Sequence, residues 1–157
     1  MSKGWDMKPK GVNRVVIAVK DIDKGIDLYS RLLGATFHDA SAGAESYGVR
    51  VAMSWDAGIE LCAPLPGRNS YIERIIKKRG EGLVGVVFCV DDVDEAHEKA
   101  KDMGIGVLSL IEYDQHQIEQ YLGGRFTKYK QYMLNSADLC GVGAIVGQIE
   151  PKQPSDG

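Results

Sequence analysis

Val15-Val16-Ile17-Ala18-Val19-Lys20-Asp21-Ile22-Asp23-Lys24 returns as Val86-Val87-Phe88-Cys89-Val90-Asp91-Asp92-Val93-Asp94-Glu95, 86 − 15 = 71 residues later. Each copy is an apolar run of strand length, then an acidic turn, then a segment of helical spacing that closes on glycine, Gly34 and Gly104. A strand, turn, helix and closing glycine recurring in one order describe two similar modules that complete a core between them.

Outward from the first copy, the predicted order is β-α-β-β-β. A strand over 11–19 leads into a helix over 21–33, with Ile22, Ile26, Tyr29 and Leu33 on one face. Strands follow over 35–39 and 47–55, and Asp56-Ala57-Gly58 turns the chain into a strand over 59–63. Pro64, Pro66 and Gly67 break that strand, and Asn69 or Ser70 caps a short helix carrying Ile72, Ile75 and Ile76. The second copy predicts a strand over 83–90 and a helix from Asp92, at capping-box spacing, to Met103. Strands are expected over 105–111, 129–134 and 143–149, with a helical turn or two within 115–122. The first ten residues read as a polar arm anchored by Trp5, and the segment after Pro151 as a frayed tail. The whole is one domain, 1–157, with modules of about 11–64 and 83–150 joined by 65–82.

Hydrophobic residues make up 44% of the chain and charged residues 26%, as in an ordinary soluble globule. A net charge of −3 gives no electrostatic reason to expect nucleic acid, and no long apolar span suggests a membrane. Cys62, Cys89 and Cys140 are too scattered for a disulfide framework or a cysteine-based zinc site and read as free thiols. A cytoplasmic setting is the expectation. Of the histidines, His97 reads as surface, His38 as an edge-strand residue, and His116 as part of a polar segment near Glu119.

The modules resemble the vicinal oxygen chelate superfamily, which includes glyoxalase I, extradiol dioxygenases, bleomycin resistance proteins and, most similar in wording, methylmalonyl-CoA epimerase. The likeness is carried by Val12-Asn13-Arg14-Val15-Val16-Ile17-Ala18-Val19, by Gly58-Ile59-Glu60-Leu61-Cys62-Ala63-Pro64-Leu65, and by the run from Glu73 to Asp92. It implies an α+β fold in which two βαβββ modules form a cup-shaped mixed sheet with helices outside, and a homodimer. It also implies a divalent metal held by one residue from each of four strands. Here those positions are Arg14, Glu60, the Val84-Gly85 pair and Gly147, with Glu150 three places too late. A guanidinium has no lone pair to give and glycine has no side chain, so no metal and no other cofactor is expected.

Alternation puts Arg14 with Val16 and Ala18, Glu60 with Cys62, and Gly85 with Val87 and Cys89. If these faces line a cup, Arg14 and Glu60 pair there, because an isolated buried charge is costly. Arg14 then anchors a carboxylate or enolate oxygen, and Glu60 transfers the proton. Gly85 and Gly147 leave room for a small-molecule ligand, and Val87, Cys62, Tyr129 and Tyr132 line its walls. The expected activity is metal-independent isomerase, epimerase or lyase chemistry on a small carboxylate or acyl-CoA-like substrate. Two other readings stay open. One is a binding or sequestration protein of the bleomycin-resistance type, and the other is an ion pair filling a degenerate cavity in an assembly protein. Tyr113, Tyr121, Phe126, Tyr129 and Tyr132, beside Gly123-Gly124, suggest a mobile lid.

Overall fold

The computed structural model describes residues 5–153. The start of the expected arm and the end of the expected tail lie outside the described residues. The described chain is α+β and divides into two compact units, the first of residues 14–85 and the second of residues 5–13 and 86–153. Among the described residues no helix is long and apolar enough to cross a membrane.

The first unit takes the end of strand β1 (Pro9–Ala18), helix α1 (Ile22–Leu33), strands β2 (His38–Asp39), β3 (Val49–Ser54) and β4 (Ile59–Pro64), and helix α2 (Tyr71–Arg79). Its strands lie in the order β2-β3-β4-β1. β1 and β4 run parallel, and the other neighbours antiparallel. α1 starts where the Asp21 carboxylate accepts the N–H groups of Asp23 and Lys24, and stops at Gly34, whose φ of 71° suits a residue without Cβ. Its inner face meets Val15, Ile17, Val19, Ile59 and Leu61, the outward-alternating residues of β1 and β4. That face ends at Tyr29, because Leu33, expected to continue it, is 57% exposed. The strand expected over 35–39 shrinks to His38–Asp39. Two short 3₁₀ turns follow, held by Ser41, whose buried hydroxyl accepts from Val51 N–H and donates to Val51 C=O. Ser70 caps α2 by accepting from Glu73 N–H.

The second unit contains most of β5 (Gly82–Val90), then α3 (Val93–Asp102), β6 (Val107–Tyr113), α4 (Gln115–Leu122), β7 (Phe126–Leu134) and β8 (Ala144–Pro151). The strand order is β5-β8-β7-β6, again with one parallel pair, β5 with β8. Asp92 caps α3, but Glu95 does not close the capping box within the helix. It accepts instead from Asp6 N–H at 2.9 Å, so the N-terminal arm is tied down there. Lys8 N–H donates to Asp91 at 2.7 Å, and Met7 packs into the core under α3. A full capping box does form at α4, where Asp114 and Gln117 satisfy each other's backbone. That box turns the irregular stretch before Gly123 into a helix, with Ile118 and Leu122 buried.

Candidate active site

On β1 and β4 the residues that do not face α1 are Arg14, Val16 and Ala18, and Glu60 and Cys62. The register sets Val16 opposite Glu60 and Ala18 opposite Cys62. On β3 the same face carries Met53 beside Glu60 and Val51 beside Cys62. Across this apolar surface Arg14 and Glu60 are the only charged side chains of β1 from Arg14 onward, β3 and β4, and they pair. Arg14 Nε and Nη2 donate to Glu60 Oε1 at 3.2 and 3.1 Å. Arg14 is 1% exposed and Glu60 9%. The guanidinium also stands 5.5 Å from the centre of the Trp55 ring, an aromatic face that stabilises a buried cation. The second carboxylate oxygen, Oε2, accepts from the Cys62 thiol at 3.6 Å. Burial, and secondarily the charge of Glu60, push the Cys62 thiol well above its ordinary pKa. It therefore stays a neutral donor.

The second unit repeats this architecture with different chemistry. Val86 pairs with Ala144 as Val15 pairs with Ile59, which makes Ile145 the equivalent of Glu60 and Gly147 the equivalent of Cys62. Ile145 stands between Val87 and Met133 as Glu60 stands between Val16 and Met53. The position expected at Gly147 therefore belongs to Ile145. The offset between copies grows from 71 at the first strands to 144 − 59 = 85 at the last, because α4 and a longer β7–β8 turn are inserted. Counting along the sequence misses that shift, whereas a strand register does not.

Other expected site residues divide as follows. Gly85 and Val87 are buried on the β5 face that turns away from Val90 and α3. Gly147 does not leave open room, since a Cβ there would lie 3.3 Å from Gln131 Cβ. Gln131 is 6% exposed, lies opposite Gly147, and is the polar group on this face that the sequence reading missed. The alternation of β7 would have flagged it, because it sits two residues from Tyr129. Tyr129 and Tyr132 cannot share a ligand. An odd separation puts them on opposite faces, and Tyr132 packs with Val90, Val93 and Leu134 beneath α3. His97 stacks on the Tyr132 ring at 4.2 Å and 4°, so it is a packing residue and not the free surface histidine expected. Tyr113, Tyr121, Phe126 and Tyr129 form one ring cluster that holds α4 to β6 and β7. His38 shares a row with Glu60, but Met53 stands between them, two strand spacings or about 10 Å apart. His116 is exposed.

A divalent ion requires several donors converging at fixed distances. Of the positions that the resemblance assigns to metal ligands, the first unit holds Arg14, Glu60 and Gly85, a permanent cation, one carboxylate and no side chain, and the second unit holds a hydrocarbon, Ile145. This donor set does not fit the metal that the fold implies. Among the described residues no group of three or more His, Cys, Asp or Glu is placed to hold one elsewhere.

Comparison with known proteins agrees with this fold. Methylmalonyl-CoA epimerase from Mycobacterium tuberculosis is 25% identical, with a TM-score of 0.69 over 92% of this chain and 90% of that one. A variant of the Streptomyces coelicolor epimerase in complex with 2-nitronate-propionyl-CoA is 24% identical, with a TM-score of 0.71 over 94% and 100%. A methylmalonyl-CoA epimerase in complex with methylmalonyl-CoA and NH4+ is 22% identical, with a TM-score of 0.72 over 92% and 100%. No curated protein sequence matches. A family profile matches residues 13–122 of the 157, and by that match the chain belongs to the glyoxalase/bleomycin resistance protein/dioxygenase superfamily.

Proposed function

We propose that the protein is a metal-independent member of its superfamily that moves a proton next to a carbonyl, on a small carboxylate or acyl-CoA-like substrate. The observation that carries this reading is the asymmetric hold on Glu60: charged donors occupy Oε1, and among the described residues only a thiol reaches Oε2. Oε2 is then the oxygen fit to accept a proton. A substrate C–H bond breaks, its proton passes to Oε2, and its electron pair moves onto the adjacent carbonyl as an enolate. The Arg14 guanidinium would stabilise that oxygen where a metal does so in other members. Delivery of that proton to the opposite face of the same carbon, or to the neighbouring carbon, restores Glu60 and completes an isomerisation. Methylmalonyl-CoA accompanies an ammonium ion in one solved neighbour, and Arg14 would supply a nitrogen cation from the chain itself.

A binding role without chemistry is the second reading, and one observation favours it. Arg14 is enclosed between Glu60 and Trp55, as expected of a structural plug. The deciding experiment incubates methylmalonyl-CoA, malonyl-CoA and a panel of short 2-oxo acids with the protein in D2O. Deuterium gain at the carbon beside the carbonyl, lost in Glu60→Gln, supports the enzyme. Calorimetric binding of a panel member with no exchange above the uncatalysed rate supports the binder.

A further inference from the structure

We propose that Cys62 is a positioning residue, whose thiol fixes the plane of the Glu60 carboxylate by donating to Oε2 while leaving that oxygen open to a stronger partner. The general placement rests on the contact alone, and its catalytic use rests on the proton-transfer reading above. Cys62 was expected as an apolar wall. It sits two residues from Glu60 on the same face of β4, and its Sγ lies 3.6 Å from Oε2. The carboxylate is thus gripped at both ends, by two N–H groups on one oxygen and by one S–H on the other. Two anchors on different oxygens define a plane, whereas Arg14 alone would leave the group free to rotate about the Oε1 contact.

The choice of donor matters because the two oxygens have different tasks. A hydroxyl or an amide would hold Oε2 with a full hydrogen bond and so make that oxygen a poorer acceptor for a proton. A thiol is a weak donor and gives way at small cost. Having accepted a proton, Oε2 becomes a donor, and the same sulfur can act as its weak acceptor, so the contact reverses without moving either side chain. The thiol is also held away from other chemistry. Its burial keeps it protonated, and the reactive form of cysteine is the thiolate.

The S–H stretching band of the whole protein tests this by infrared spectroscopy, since water and amide bands do not cover it. The Cys62 component is assigned as the one lost in Cys62→Ala, with the bands of Cys89 and Cys140 as internal references. The expected result is a Cys62 band at lower frequency than that of exposed Cys140, moving upward in Glu60→Gln, where a neutral amide replaces the carboxylate. Glu60→Gln leaves Arg14 without its charged partner, so a second variant guards against misfolding. Arg14→Met with Glu60→Met removes both charges at similar volume and should move the band upward equally. A Cys62 band at the Cys140 frequency, or one unmoved in the folded variants, overturns the proposal. The deuterium-exchange assay separates the two claims. A shifted band in an inert protein removes the proton-transfer reading and keeps Cys62 as the group that positions Glu60. An active protein with an unshifted band does the reverse.

Discussion

Both nitrogens that Arg14 turns toward Glu60 end on a single oxygen, Oε1, at 3.2 and 3.1 Å. This side-on geometry makes one strong contact and leaves the other oxygen to Cys62. Removing either partner leaves the charge of the other buried without this contact. Arg14→Met and Glu60→Met should each cost about 3–5 kcal/mol of stability. The double replacement Arg14→Met/Glu60→Met should cost far less than the sum, and it should come out close to neutral if the methionines pack well. Denaturant titration of the cycle measures this directly, and additive losses would mean that the two charges do not depend on each other.

The three thiols should separate by accessibility. Cys62 and Cys89 are buried, and Cys140 is exposed in the turn between β7 and β8. A thiolate is the reacting species, and burial holds the Cys62 thiol well above its ordinary pKa. A disulfide titrant at neutral pH should therefore consume Cys140 at once in the native protein. It should reach the other two only at the rate of unfolding, or immediately in denaturant. Fast native reaction of a second thiol would show that one of the two strands opens locally.

The Lys130 ammonium donates to the Asp94 carboxylate at 2.7 Å, joining β7 to α3. That hydrogen bond is the main reason Asp94 is held below its ordinary value. A carboxylate depressed in the folded state adds stability above its unfolded value of about 3.9, and that stability is lost as pH falls through the lower folded value. The melting temperature should thus decline on the acid side of about pH 4, and Lys130→Met should flatten that part of the decline. The change should be small, because Asp94 is largely solvated and salt screens the pair. An unchanged acid limb in the variant would assign the decline to other carboxylates.

The inner face of the first unit was legible in the sequence because alternation along β1 and β4 is uninterrupted. Spacing grouped Arg14 with Val16 and Glu60 with Cys62, and the family resemblance put the two groups on one face. The second unit resisted for a physical reason at each point. Ile145 was hidden behind Gly147 because α4 and the longer final turn shift the last strand by 85 − 71 = 14 residues relative to the first copy. Tyr132 was counted among the ligand walls by residue type, although its odd separation from Tyr129 already put it on the helix side. His97 was read from its charged neighbours on α3, whereas its position is decided by a ring on β7 that sequence does not place next to it. Gln131 was passed over among aromatic neighbours, yet it is the polar side chain that faces Gly147.

Gly147 offers a test of how tightly that face is closed. An added Cβ would meet Gln131 Cβ at 3.3 Å and Lys130 O at 3.4 Å, both parts of the neighbouring strand β7. Replacement by alanine reduces the freedom of the unfolded chain, worth about 0.4–1 kcal/mol in favour of the variant. Overpacking of a buried site costs about 1–3 kcal/mol. The expected result for Gly147→Ala is a net loss of about 1 kcal/mol, read from denaturant midpoints, and Gln131→Ala should relieve it in the double variant. A stabilised Gly147→Ala would show that β7 can yield at Gln131.

Gly25 sets helix propensity directly against packing, and the outcome follows from which term is larger. It is a buried glycine in the second turn of α1, facing the sheet. Alanine in a helix interior is favoured over glycine by about 0.8–1 kcal/mol, so at an exposed position the replacement would stabilise. Here the new Cβ would lie 3.1 Å from Leu61 Cδ1 and 3.5 Å from Val19 Cγ1. Leu61 is itself fully buried in the core beneath the helix, so its methyl has no solvent to retreat into. Either Leu61 leaves its preferred rotamer or α1 lifts from β1 and β4, and overpacking of this kind costs about 1–3 kcal/mol. Gly25→Ala should therefore destabilise, by up to about 2 kcal/mol net, despite raising helix propensity. The double variant Gly25→Ala/Leu61→Val gives the methyl group's space back and should recover much of the loss, less the cost of shortening Leu61. Equilibrium unfolding of the three proteins decides it. If Gly25→Ala proves more stable than the parent, the close approach of α1 to Leu61 is not what holds this helix to the sheet.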